Sequence, residues 1–188
     1  MIHSIAGSMA LFFYKKDLIK EDEIEVYEYG AELLCSTLLN VLGIAVLMCV
    51  LGTYFETLLY FAAFSPVRVT AGGYHAKTHL RCFLMSAGVY LLSMLLLNIP
   101  LPLPVPAAAG AAMTAAVIIF APAEHRNRAL TGDERAAFRR RAVVFAAAAA
   151  VLSCAAYIFS ARAAACLFWG LVSAVLSMLA GVIENAVT

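Results

Sequence analysis

Residues 68–82 read RVTAGGYHAKTHLRC, and this polar stretch divides the chain. It lies between two apolar runs that read as membrane. It holds a glycine pair, two histidines, the cations Arg68, Lys77 and Arg81, and one cysteine, Cys82, where the next apolar run begins. Ionisable groups are costly inside a lipid-embedded protein and mark function there by default. A nucleophile, candidate bases and flexible backbone gathered in one place point to chemistry.

Outward from this island the chain is apolar in both directions. Hydrophobic residues make up 64% of its 188 residues and charged residues 13%, well outside the soluble norm. A soluble domain of this length has no use for so much apolar surface, so the surplus is expected to face lipid. Apolar runs fall at 33–51, 54–67, 83–99, 105–121, 142–160 and 163–183, most of them near the ~20 residues that cross a ~30 Å hydrocarbon core. The second run is short and carries Glu56, which suits a tilted or partly inserted segment. Asn98 to Pro106 (NIPLPLPVP) reads as a tight turn, because proline fixes φ and removes a donor. Ile5 to Tyr14 lacks a basic lead and runs into Lys15 and Lys16, so it reads as an interfacial amphipathic helix rather than a signal peptide. Asp17 to Glu32 reads as a solvated acidic helix leading into the first span, with Ile24, Tyr27, Ala31 and Leu34 at helical spacing.

The basic residues set the sidedness. Lys15, Lys16 and Lys20 precede the first run, the island follows the second, and Arg126, Arg128, Arg135, Arg139, Arg140 and Arg141 follow the fourth. Six crossings with both termini inside put 12 of the 13 basic residues on the cytoplasmic side, with Arg162 the exception. The expected fold is therefore an all-α integral membrane protein, a polytopic bundle of six transmembrane helices. Four spans plus a re-entrant pair keep the same sidedness and stand as the alternative. The chain reads as a single membrane domain over 1–188, with an N-terminal cytoplasmic segment at 1–32 and a basic cytoplasmic loop at 122–141. The alanine-rich segments 107–116 and 142–150 suit close helix approach, either within the chain or in a homodimer.

Of the five cysteines, Cys35, Cys49, Cys154 and Cys166 sit in apolar runs, where cysteine acts as a small hydrophobe. Only Cys82 has polar neighbours. Only a thiolate attacks well, and a thiol with an ordinary pKa near ~8.5 is mostly protonated at neutral pH. Lowering such a pKa by two units takes about 2.7 kcal/mol, whereas a helix N-terminus supplies ~0.3–1 kcal/mol. An imidazolium must supply the rest. On an uninterrupted helix His75 would lie ~10.5 Å from Cys82 along the axis, and His79 would be the i,i+3 neighbour. Gly72 and Gly73 argue against a rigid helix and let His75 fold back instead. Geometry leaves both histidines open. A zinc site built from His75, His79 and Cys82 is disfavoured, since Ala76 stands where an HExxH motif needs Glu and the island has no acidic ligand.

Arg68, the pair Gly72 and Gly73, His75-Ala76 and Cys82 seven residues after the histidine resemble the signature of the accessory gene regulator B (AgrB) family. These are bacterial plasma-membrane cysteine endopeptidases that process a quorum-sensing propeptide. The likeness extends to the charged N-terminus, the several spans and a proline-led basic loop. Arginines stand where that loop commonly has lysines, and Ala129 replaces an expected proline. The resemblance implies Cys82 as nucleophile and His75 as base within a cytoplasmic catalytic loop at 68–82. It implies support or substrate contact from Arg68, Gly72, Gly73, Arg126, Arg128, Arg139, Arg140 and Arg141. The implied partners are a short amphipathic propeptide with an acidic C-terminal tail and the lipid bilayer. No cofactor, metal or nucleic acid is expected. A small peptide exporter and a membrane scaffold are the competing classes. The absence of buried charge in spans three to six argues against ion-coupled transport.

Overall fold

Long runs of alanine, leucine, valine and isoleucine, broken only by glycine, proline or charge, favour helix, and helix is what forms. The computed structural model describes residues 2–16, 18–74, 78–123 and 130–187. Among them all regular structure is helical, apart from one isolated parallel bridge between Gly72 and Ala123. The helices are α1 (Ile2–Lys15), α2 (Ile24–Leu51), α3 (Tyr54–Ala71), α4 (His79–Leu96), α5 (Pro104–Phe120), α6 (Gly132–Ala156) and α7 (Ala161–Val187), with a 3-10 turn at Glu21–Glu23. Two of them, α2 and α7, are long and apolar enough to cross a membrane. The chain forms two compact units, residues 1–51 with 77–87 and residues 52–76 with 88–188.

In the first unit α1 lies antiparallel against α2. Ala6 and Ala10 are fully buried, the Phe13 and Tyr27 rings meet edge to face at 6.3 Å, and His3 Nδ1 lies 3.2 Å from Glu28 and 3.3 Å from Glu32. Small residues let the two backbones approach, while Ile5, Leu11 and Phe12 point outward. Helix α2 is continuous from Ile24, so Ile24 to Glu32 of the acidic lead and the first apolar run form one helix, buried only at Ala31, Ser36 and Ile44. The ring of Phe83, near the start of α4, fills the space a side chain at Gly43 would need.

The second unit is built around α7. Its core joins Ala63, Val67 and Ala71 of α3, Val117 of α5, Ala142, Ala146 and Ala149 of α6, and Leu167, Leu171, Ala174, Val175 and Met178 of α7. Here the alanines of 142–150 serve packing within the chain. Helices α3 and α7 run parallel, and Gly170 lies so close to the Tyr60 carbonyl that a side chain there would overlap it.

Three boundaries differ from the sequence reading. Pro104 and Pro106 belong to α5, not to the turn before it, because the first-turn amides of a helix have no intrahelical acceptor and proline loses nothing there. Arg135, Arg139, Arg140 and Arg141 lie on α6 rather than in a loop reaching 141. Thr131 and Glu134 start that helix early with a capping box, in which Thr131 Oγ1 accepts from the Glu134 amide at 3.3 Å and the Thr131 amide donates to Glu134 Oε2 at 3.0 Å. The 68–82 stretch is likewise mostly helix end, with Arg68 to Ala71 closing α3 and His79 to Cys82 opening α4.

Candidate active site

Cys82 lies in the first turn of α4 as a half-buried free thiol. Thr78 caps that turn: its Oγ1 accepts from the Arg81 amide at 3.4 Å and its carbonyl from the Cys82 amide at 3.0 Å. Unsatisfied amides at a helix start favour a negative charge by about 0.3–1 kcal/mol. Helix α4 begins at His79. His75 lies outside the described residues, as do Arg126 and Arg128.

The glycine pair is fixed by backbone on several sides. Gly72 has φ 72° and ψ −161°, a region open essentially to glycine alone. It pairs with Ala123, whose amide donates to the Ala71 carbonyl at 2.8 Å. A Cβ on Gly73 would fall 2.8 Å from Ser177 Oγ and 2.9 Å from the Arg68 guanidinium carbon. The next residue, Tyr74, is held through both of its backbone polar groups. Its amide donates to the Ser177 carbonyl at 2.8 Å, and its carbonyl accepts from Arg68 Nη2 at 2.9 Å. The structure thus brings together Arg68, Gly72 and Gly73 with Ala123 and α7, while Cys82 belongs to the unit formed with α1 and α2.

Among the arginines of α6, Arg139 caps the end of α5 by donating its Nε to the Ile118 carbonyl at 2.8 Å, with Nη2 on the same oxygen. Arg140 and Arg141 are exposed. Arg162, the one cation outside the expected cytoplasmic set, has its Nε 2.7 Å from Glu56 Oε1. Sequence reasoning missed Ser177, Gly181 and Ala123 as neighbours of the glycine pair. The first two carry a visible signal, small residues four apart at Ser173, Ser177 and Gly181, the spacing that lets helices in membranes approach closely.

Regular structure that is all helical among the described residues, apolar helices of membrane length and a free thiol opening a helix define a helical membrane protein with a candidate thiol site. The profile of Accessory gene regulator B matches residues 6–179, and the chain belongs to that family. It is also 29% identical over 148 residues to an AgrB-like protein of Listeria innocua, covering 74% of this chain and 71% of that relative. No solved structure matches it. Membership assigns the chain to accessory gene regulator quorum sensing.

Proposed function

We propose that this chain is a membrane cysteine endopeptidase that trims the C-terminal tail of an autoinducer propeptide and hands the remaining acyl group to ring closure. The observation that carries this reading is the half-buried free thiol of Cys82 in the first turn of α4, seven residues after His75 in the family's pattern. The Cys82 thiolate attacks the carbonyl carbon of the scissile peptide bond, and an oxyanion forms. As that intermediate collapses, the C–N bond breaks, and the His75 imidazolium gives its proton to the departing amine. The product is a thioester between Cys82 and the shortened propeptide. A cysteine or serine side chain of the substrate then attacks the thioester, closing a thiolactone or lactone and releasing the Cys82 sulfur. Exclusion of water at the membrane surface favours ring closure over hydrolysis.

The topology that suits this chemistry has six spans, both termini in the cytoplasm and the catalytic segment at the inner leaflet. It is supported by the pairing of Arg162, the exceptional cation, with Glu56. The exposed Arg140 and Arg141 on α6, with Arg126 and Arg128 before it in sequence, attract an acidic tail by an attraction that weakens with salt.

The test is co-expression of this chain with a tagged propeptide, read by mass spectrometry. Replacing Cys82 with Ser or Ala, or His75 with Ala, abolishes cleavage while membrane insertion stays normal. Processing that continues without the Cys82 thiol sinks the proposal.

A further inference from the structure

Gly181 lies on α7, far from the signature in sequence, yet it faces the backbone of the glycine pair. A Cβ there would fall 2.7 Å from the Gly73 carbonyl carbon and 2.9 Å from the Tyr74 amide nitrogen. Side chains on a helix lean towards its N-terminus, so a side chain at 181 would stand over the carbonyl one turn earlier, that of Ser177. That carbonyl accepts the Tyr74 amide at 2.8 Å. Gly181 therefore leaves bare the α7 carbonyl that the Tyr74 amide uses. Gly73 is its counterpart, since a side chain there would meet Ser177 Oγ at 2.8 Å. Two missing side chains, one on each partner, make room for one hydrogen bond.

We infer that Gly181, with the Ser177 carbonyl, forms a notch on α7 that positions the Gly72–Tyr74 segment leading into His75. Gly181 is a positioning residue: it touches the segment and no reacting atom. The inference rests on the proposed pairing of His75 with Cys82. With both polar groups of the Tyr74 backbone held, one by α7 and one by Arg68, the peptide before His75 has a fixed orientation. A misplacement of about 1 Å at a reacting group costs on the order of a hundredfold in rate.

The test uses the full chain in phospholipid vesicles and iodoacetamide as the probe. Alkylation of Cys82 is followed by peptide mass spectrometry over a pH series and divided by that of Cys49, an exposed thiol on α2. Gly181→Val lowers the Cys82-to-Cys49 ratio at neutral pH to that of His75→Ala and cuts propeptide cleavage on the order of a hundredfold. Gly181→Ala gives an intermediate effect, and it carries the test alone if the valine variant fails to accumulate. Ser177→Ala keeps the wild-type ratio, because the bond uses the main chain. A wild-type pH profile and cleavage rate in the Gly181 variants overturn the inference, as does a loss of labelling at Cys49 equal to that at Cys82. If His75→Ala itself leaves Cys82 alkylation unchanged, the nucleophile–base reading fails and takes the notch with it. If His75 matters and Gly181 does not, the notch alone falls.

Discussion

At one end of the parallel pair α3 and α7, Arg162 Nε lies 2.7 Å from Glu56 Oε1. At the next residue of α3, Thr57 Oγ1 meets the Tyr90 hydroxyl of α4 at 2.6 Å. At the other end Tyr74, Gly73 and Gly72 meet α7 and Ala123 almost entirely through main chain. Both ends close the same seam by opposite means. Long side chains reach across a gap and adjust when a neighbour changes. Main-chain contacts between glycines have no such slack, and a single methyl group must displace a backbone. A site that needs a histidine held in one place is better served by the rigid end. The ion pair and hydroxyls at the far end suit holding the helices together.

The sharpest way to break this contrast is Gly72→Ala. Its φ of 72° with ψ of −161° strains any residue with a Cβ, and the added methyl group would overlap the Ala123 carbonyl. Strain and overpacking each cost about 1–3 kcal/mol. Thermal unfolding of the detergent-solubilised chain should show the combined loss, and propeptide cleavage should disappear. Gly88→Ala on α4, where a Cβ meets nothing within 4 Å, should instead be neutral or stabilising by up to about 1 kcal/mol. Equal behaviour of the two variants would remove the distinction between the ends.

Much of the fold was legible because it is written in local pattern. Each of the six apolar runs lies largely on one of the helices α2 to α7, since hydrophobic length and helix-breaking residues act within a few turns. The start of α6 was legible too, in the Thr131 to Glu134 capping signature, but a dense arginine cluster after it reads as loop when charge is weighed ahead of capping. Pro104 misled for a related reason: its effect depends on whether its missing amide belongs to a first turn or a helix interior. At the site, the spacing of Arg68, Gly72, Gly73, His75 and Cys82 was visible as a resemblance. The partners of the glycines were not. Ser177 and Gly181 lie about a hundred residues away in sequence, and only the parallel packing of α3 on α7 gives their small side chains a use. The role of Arg162 depended in the same way on Glu56, because pairing across helices is a tertiary fact.

At the side-chain end, replacing Arg162 with Ala and Glu56 with Gln, singly and together, sharpens the contrast. The pair is neither fully exposed nor fully buried, with side-chain exposures of 51% and 19%. A coupling of about 1 kcal/mol is expected, at the upper end for exposed pairs, and it should shrink in high salt. Cleavage should persist in the double variant, since both residues lie at the end of the seam away from the signature. Loss of cleavage there with normal stability would mean that the two ends are coupled rather than merely joined.

Tyr90→Phe is the gentlest probe of the same end. The Tyr90 hydroxyl lies 2.6 Å from Thr57 Oγ1 and 3.1 Å from Thr53 Oγ1, while its ring packs edge to face on Tyr60 at 5.8 Å. The substitution keeps the ring and removes only the hydroxyl. Thr57 Oγ1 retains the Thr53 carbonyl as a partner, so no buried donor is orphaned and the large penalty for an unsatisfied group does not arise. Hydrogen bonds between helices in membranes average about 0.6 kcal/mol, and a loss of that size is expected in thermal unfolding. A loss of several kcal/mol would show that the hydroxyl cluster, rather than apolar packing along α7, sets the spacing of this end. The two ends of the seam would then be equally intolerant, and the contrast between them would fail.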